Sequence, residues 1–226
     1  MIPSKKLKSS IASMHPWNLT PKEAIQLQKQ LKDQVRTDLK LNSPKSVAGV
    51  DVAYIRERKE SVASVVVLSY PDLQTTESAV AKMKTPFPYV PGLLSFREVP
   101  AILKAIDKLS TLPDLIFVDG HGRAHPRRFG IAAHLGLWLT HPTIGIGKSR
   151  LCGEYRQPGS GRGSCTNLVH QGEVIGRVLR TRTGVKPVFV SVGYGLPLEE
   201  CLRWTLAVTR RFRLPEPIRR ADQLCR

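Results

Sequence analysis

Three carboxylates stand in sequence surroundings that make them candidates for chemistry. Asp51 is enclosed by Val47-Ala48-Gly49-Val50 and Val52-Ala53, a β-rich run in which an isolated ionised Asp would be costly to bury. Strand alternation would equally point it to solvent. Asp119 follows Leu115-Ile116-Phe117-Val118 and precedes Gly120. An unbroken apolar run marks a strand covered on both faces, and a following glycine lets the backbone turn sharply at the C-terminal edge, where α/β sheets collect their sites. Glu98 is the third. At about 100° per residue a helix from Leu94 puts Glu98 beside Leu94, Ala105 and Leu109, with Arg97, Lys104 and Lys108 opposite. Pro100 either kinks that helix or starts it, and an ordinary surface glutamate is the alternative.

Carboxylates brought together repel unless a hard cation neutralises them, and Mg²⁺ takes oxygen ligands while keeping several waters. The chemistry implied is metal-assisted phosphodiester cleavage. His125, in Gly120-His121-Gly122-Arg123-Ala124-His125, is placed to orient water or phosphate, and Lys148 to neutralise charge in the transition state. Gly147-Lys148-Ser149 ends like a phosphate-binding loop, but Pro142 stands where that motif needs its first glycine, which excludes a nucleotide-binding reading. Three prolines, Pro86, Pro88 and Pro91, stiffen the chain around Tyr89. A rigid ring beside such a site suits insertion into a base stack, although Pro-aromatic segments are commonly packed turns.

The elements that must hold these residues are legible in outline. Thr20, Pro21 and Glu23 form a capping box with an N1 proline, so a helix is expected from about Pro21 to Val35. Val47 to Tyr54, Ser61 to Tyr70 and Ser78 to Lys84 read as an antiparallel three-strand meander. A helix to Leu109, a strand Leu115 to Val118, a helix Phe129 to Leu139 and a strand Thr143 to Ile146 alternate as a parallel βαβ segment does. Gly153 to Gly172 is expected to be a mobile surface insertion, followed by strands over Glu173 to Thr183 and Pro187 to Val192 and a closing helix Leu198 to Phe212. This order is that of a ribonuclease-H-like α/β fold, a mixed central sheet flanked by helices. Residues 1–18 are expected to be a flexible basic arm and 19–226 a single catalytic domain.

With 35 Lys and Arg against 18 acidic residues and a formal charge of +17 over 226 residues, the chain projects a field that attracts polyanions. Nucleic acid is therefore the first partner expected, ahead of an anionic membrane. Cys152, Cys165, Cys201 and Cys225 are dispersed without a C-x-x-C pair, which fits reduced thiols in the cytoplasm. No window reads as a signal peptide or a membrane span.

Four blocks of this chain resemble the motifs of the endonuclease V family: Gly49 to Tyr54, Pro88 to Glu98, Val118 to Arg128 and Gly145 to Gly153. The similarity extends from about Thr20 to Asp222, with Arg213-Leu214-Pro215-Glu216-Pro217 near its end. The resemblance implies that Asp51 and Asp119 bind Mg²⁺, that Glu98 completes the acidic site, and that Tyr89 belongs to a wedge beside the lesion. It implies nicking of deoxyinosine-bearing DNA at the second phosphodiester 3′ to the damaged base, leaving 3′-hydroxyl and 5′-phosphate ends. Inosine-containing RNA is the alternative substrate, and a monomer is expected. Gly120, Gly122 and Leu151 are expected to wall the base pocket. The chain departs from the family pattern at Ser191-Val192-Gly193-Tyr194-Gly195, where Tyr194 stands in the place of an expected histidine and would weaken general-base catalysis. Two rival readings follow: a ribonuclease-H-like nuclease for branched or mismatched DNA, and an inosine-binding protein with reduced catalysis.

Overall fold

The computed structural model describes residues 14–226. Residues 1–13 of the expected basic arm lie outside the described residues. Helix α1 (Pro21–Leu31) starts as its capping signals require: Thr20 Oγ1 accepts from the Glu23 amide, and the Glu23 carboxylate accepts from the Thr20 amide at 2.7 Å. A short 3-10 turn, Lys32–Gln34, extends it.

Eight strands form one mixed sheet in the order β3-β2-β1-β4-β5-β8-β7-β6. The first three, β1 (Ser46–Ile55), β2 (Glu60–Ser69) and β3 (Thr75–Lys84), make the antiparallel meander. Helix α2 (Leu94–Ile106) crosses to β4 (Leu115–Asp119), and α3 (Ile131–Leu139) crosses to β5 (Thr143–Gly147). Strands β1, β4 and β5 run parallel. Strands β6 (Cys165–His170), β7 (Glu173–Leu179) and β8 (Val188–Tyr194) return to antiparallel pairing beyond β5. The result is a ribonuclease-H-like fold, with the expected meander and parallel strands plus an antiparallel extension.

Alternation along the central strands divides two cores. Val47, Leu115, Phe117, Ile144 and Ile146 pack with α4 (Leu198–Ala207) and α5 (Glu216–Cys225) on one face. Ala48, Val50, Ile116 and Val118 pack with α2 and α3 on the other. Strands β1 and β4 are therefore apolar on both sides, as the unbroken run in β4 implies.

Three expectations are corrected. Residues 14–18 are not a loose arm: His15 is buried, and the Trp17 and Trp138 ring centroids lie 4.6 Å apart. The stretch 153–172 is not simply a mobile insertion, because its second half is β6, and Glu154 bridges back to Val169. Its low apolar content reflects an edge strand with one wet face. The closing helix stops at Ala207, and a second helix, α5, follows. Pro215 caps α5 and Pro217 sits in its first turn, so these prolines open a helix.

Candidate active site

Parallel pairing sets Val50 of β1 beside Val118 of β4. The next residue on each strand is an acid, Asp51 and Asp119, and period-2 alternation turns both toward the α5 face with Val47, Leu115 and Phe117. Their carboxyls are close enough for the charge of Asp119 to bear on the titration of Asp51. Burial raises the pKa of Asp51, and the Asp119 charge raises it further. Burial also raises that of Asp119, against the pull of Lys148.

Lys148 follows β5 and places Nζ in an ion pair with Asp119 Oδ2 and 3.9 Å from Asp222 Oδ1. Burial alone would lower the lysine's pKa, but Asp119, Asp51 and Asp222 hold it above its usual value. Glu98 reaches the same edge from α2, half-buried, and its pKa is pushed up to about 8 by burial and then by the Asp51 and Asp119 charges. The helix continues through Pro100 and leaves Lys104 and Lys108 exposed, as the angular reading requires.

Asp222 is the site residue that the sequence reading missed. It comes from α5, which lies so close to β1 that a Cβ on Gly49 would stand 2.1 Å from the Pro217 carbonyl. A side chain there would displace the helix and the acid it carries.

Among the described residues no three His, Cys, Asp or Glu side chains converge into a compact ligand cluster. The donor chemistry nevertheless fits a hard divalent cation. Every candidate ligand is a carboxylate, and Asp51 and Asp119 are held protonation-prone first by burial and then by neighbouring acids, a cost that the Lys148 charge offsets in part. Asp51 and Asp119 are the residues that could hold such an ion, with Glu98 and Asp222 beside them.

A recess of about 160 Å³ opens next to this edge, lined by Tyr89, Gly92, Leu94, Ser95, Gly120, His125, Ile131 and Leu151 among others. Tyr89 is 70% exposed at its rim, and Leu151 is 45% exposed. These exposed apolar residues and Gly120 fall where the base pocket was expected. Gly122 does not. Its Cβ position would lie 1.9 Å from the Val192 carbonyl oxygen, so Gly122 is a packing glycine between β8 and the loop after β4.

His125 is also reassigned. Its Nδ1 accepts from the Arg127 amide at 3.1 Å, so Nε2 carries the proton and donates to the Gly92 carbonyl at 3.0 Å. Burial, followed by the Arg127 charge, pushes its pKa down to about 4. With both ring nitrogens engaged, His125 pins the recess wall rather than orienting water. The Gly92 carbonyl also accepts from Gln28 Nε2 at 3.0 Å and from Arg127 at 2.8 Å.

Tyr194 lies elsewhere. It pairs with Thr143, at the start of β5, whereas Asp119 pairs with Ile146. Three residues of strand separate the two positions, about 10 Å along the sheet. The ring is buried with Leu31, Val35, Phe129, Ala133 and Leu137. The proposed replacement of a catalytic histidine is thus not supported by geometry, because this position faces the α1–α3 core.

The endonuclease V family model matches residues 29–223. The endonuclease V of Trichormus variabilis is 50% identical over 211 residues, covering 93% of this chain and 96% of that one. The crystal structure of endonuclease V from Streptomyces avermitilis superposes with TM-score 0.89 at 47% identity, covering 92% of each chain. That of Ciona intestinalis endonuclease V, in complex with a 24mer DNA containing an inosine followed by a ribo-adenosine, superposes with TM-score 0.78 at 27% identity over 90% of this chain and 95% of that one.

Proposed function

We propose, from the premise that the chain belongs to the endonuclease V family, that it is a repair nuclease for DNA strands carrying deoxyinosine. It cuts the second phosphodiester 3′ to the lesion, leaving 3′-hydroxyl and 5′-phosphate ends. The observation that carries this reading is the adjacency of two features: a sheet edge bearing Asp51, Asp119, Glu98 and Asp222 with Lys148, and an apolar recess rimmed by Tyr89 and Leu151.

The recess suits one flipped base, and Tyr89 at its rim suits a ring inserted where that base has left the stack. Asp51 and Asp119 would hold Mg²⁺, with Glu98 and Asp222 as further oxygen donors. When bound, the ion lowers the cost of negative charge on phosphate and favours a hydroxide-like water. Around it, Glu98 is suited to orient the attacking water. Lys148 offers a compact positive charge to the phosphate whose P–O3′ bond breaks as the new P–O bond forms. His125, through Gly92, keeps the base wall in place.

The four cysteines are free, and no helix among the described residues is long and apolar enough to cross a membrane. We place the enzyme in the cytoplasm, acting as a monomer on damaged DNA.

The test is a nicking assay on matched duplexes with and without inosine, and on inosine-bearing RNA, each with Mg²⁺ or with a chelator. Magnesium-dependent nicking confined to inosine-bearing DNA is expected. Equal cutting of inosine-free or branched DNA would overturn the substrate assignment, and preference for the RNA would move the function to RNA.

A further inference from the structure

A buried chain of polar groups ends at the recess and has no part in the chemistry above. His15 Nδ1 lies 2.8 Å from the Pro16 carbonyl oxygen, His15 Nε2 lies 2.8 Å from His134 Nε2, and His134 Nδ1 lies 2.9 Å from Ser95 Oγ. His134 and Ser95 are buried at 0% and 2% exposure, and Ser95 lines the recess from the first turn of α2.

The direction of every bond in this chain follows from its far end. A carbonyl oxygen only accepts, so His15 Nδ1 must carry a proton and donate to Pro16. Burial lowers the pKa of both imidazoles, so each is neutral at neutral pH with one N–H. His15 Nε2 is then a bare acceptor, and His134 Nε2 must donate to it. His134 Nδ1 is bare in turn, and the Ser95 hydroxyl must donate to it. With its hydrogen committed to His134, any further bond that Ser95 Oγ makes, including one to a group held in the recess that Ser95 lines, is made as an acceptor.

The other polar side chains of the recess have little left to give. Gln28 spends its amide on the Gly92 and Phe129 carbonyls and accepts from Arg127. His125 is saturated as described. His121 lies 3.0 Å from the Ser149 carbonyl through Nε2, which leaves its Nδ1 as a buried acceptor without a partner.

We propose that Ser95 is a specificity-determining residue whose hydroxyl, locked as an acceptor by His134 and His15, reads the N1–H of a deaminated purine. Hypoxanthine carries a hydrogen on N1 where adenine carries a lone pair. Ser95 Oγ therefore forms a hydrogen bond with the first and faces a repelling acceptor in the second. The substrate class is a base with a lactam N–H beside its carbonyl, and His134 and His15 are positioning residues that act through Ser95. This proposal rests on the inosine reading of the recess.

The test compares single-turnover nicking of two duplexes, one with hypoxanthine and one with its 1-deaza analogue, in which C–H replaces N1–H. Each is cut by the parent protein, by Ser95→Ala and by His15→Phe, with thermal unfolding checked for all three. In the parent, loss of N1–H is expected to slow nicking about 5- to 100-fold, because a buried acceptor is left unpaired. In Ser95→Ala that ratio should collapse to near unity. In His15→Phe, whose substitution lies outside the recess, the ratio should fall without vanishing, because His134 can then reverse its tautomer and release the Ser95 hydrogen. The ratio is taken within each protein, so a general loss of activity or stability cancels. If Ser95→Ala keeps the parent ratio, the proposal is wrong and His121 Nδ1 becomes the N1–H acceptor. An unchanged ratio in His15→Phe removes the relay while leaving Ser95. A parent that cuts neither duplex overturns the inosine reading itself.

Discussion

Replacing Glu98 with Gln should stabilise the metal-free protein, and the gain should grow with pH. The Glu98 carboxyl has its pKa pushed up from 4.5 to about 8 by burial and by the neighbouring Asp51 and Asp119 charges. Between those two values the folded protein binds a proton that the unfolded chain has released, so stability falls as pH rises through the window. Gln carries no such proton, and its stability curve lacks this slope. One pKa unit corresponds to about 1.36 kcal/mol, which gives a difference of about 3 kcal/mol at pH 7 and under about 1 kcal/mol at pH 5. Water at the half-open edge screens part of this, so about 1.5 to 3 kcal/mol is expected at pH 7. For a chain of this size that is roughly 3 to 12 °C in Tm. The assay is thermal unfolding of parent and Glu98→Gln in chelator at pH 5 and pH 7, then with Mg²⁺ added. Magnesium should narrow the difference, since a cation that binds only the folded state relieves the same repulsion. A Gln variant that is no more stable than parent at pH 7, or a gain that does not grow between pH 5 and pH 7, would refute the reasoning.

Asp51→Ala and Asp119→Ala should each abolish detectable nicking while leaving the protein folded and able to bind inosine-bearing duplex by gel shift. Near-normal Mg²⁺-dependent turnover in either variant would remove that residue from the site. Tyr89→Ala should reduce preference for inosine-bearing over undamaged duplex more than it reduces general affinity, and equal losses on both would make the ring a packing residue. Tyr194→His should cost about 2 to 4 kcal/mol in chemical unfolding, as expected for cutting down and polarising a buried core ring. Its single-turnover rate should not rise at any pH from about 6 to 9, the range in which an imidazole base would act. A faster enzyme would restore the lost-base reading.

The acids on strands were legible because their signals are local. Asp119 follows four consecutive apolar residues, and that run alone states that the strand is covered on both faces and ends at the acid. The α1 capping box is local in the same way. Glu98 required a helical period through Pro100, and the helix does continue there, with Lys104 and Lys108 exposed as the angular reading expects. What failed was the reading of residues whose meaning depends on partners far along the chain. His125 looked like a free imidazole, because its saturation by the Gly92 carbonyl and the Arg127 amide is a product of the folded loop. Gly122 looked like a pocket wall, but its need for hydrogen in place of a side chain comes from Val192, seventy residues away.

Asp222 shows why the fourth acid stayed hidden while Tyr194 drew attention. Beyond the first turn of α5 the buried residues are Ile218, Ala221 and Cys225, and Asp222 sits one step off that stripe, with Arg219 three residues before it and Arg226 four after. Its partner at i+4 is Arg226, 2.8 Å away. By local pattern this is a solvated acid on an exposed helix flank, and such pairs ordinarily contribute little. Its second environment exists only because α5 docks on β1 where Gly49 presents no side chain, which brings Asp222 to Lys148 and next to Asp119. Tyr194, by contrast, ends β8, and the antiparallel run of that strand carries it to the opposite end of β5 from Asp119. Strand direction thus decides which residue belongs to the site. An acid close to the C-terminus reaches the C-terminal edge of β4 through a helix, and an aromatic on the neighbouring strand is turned away from it.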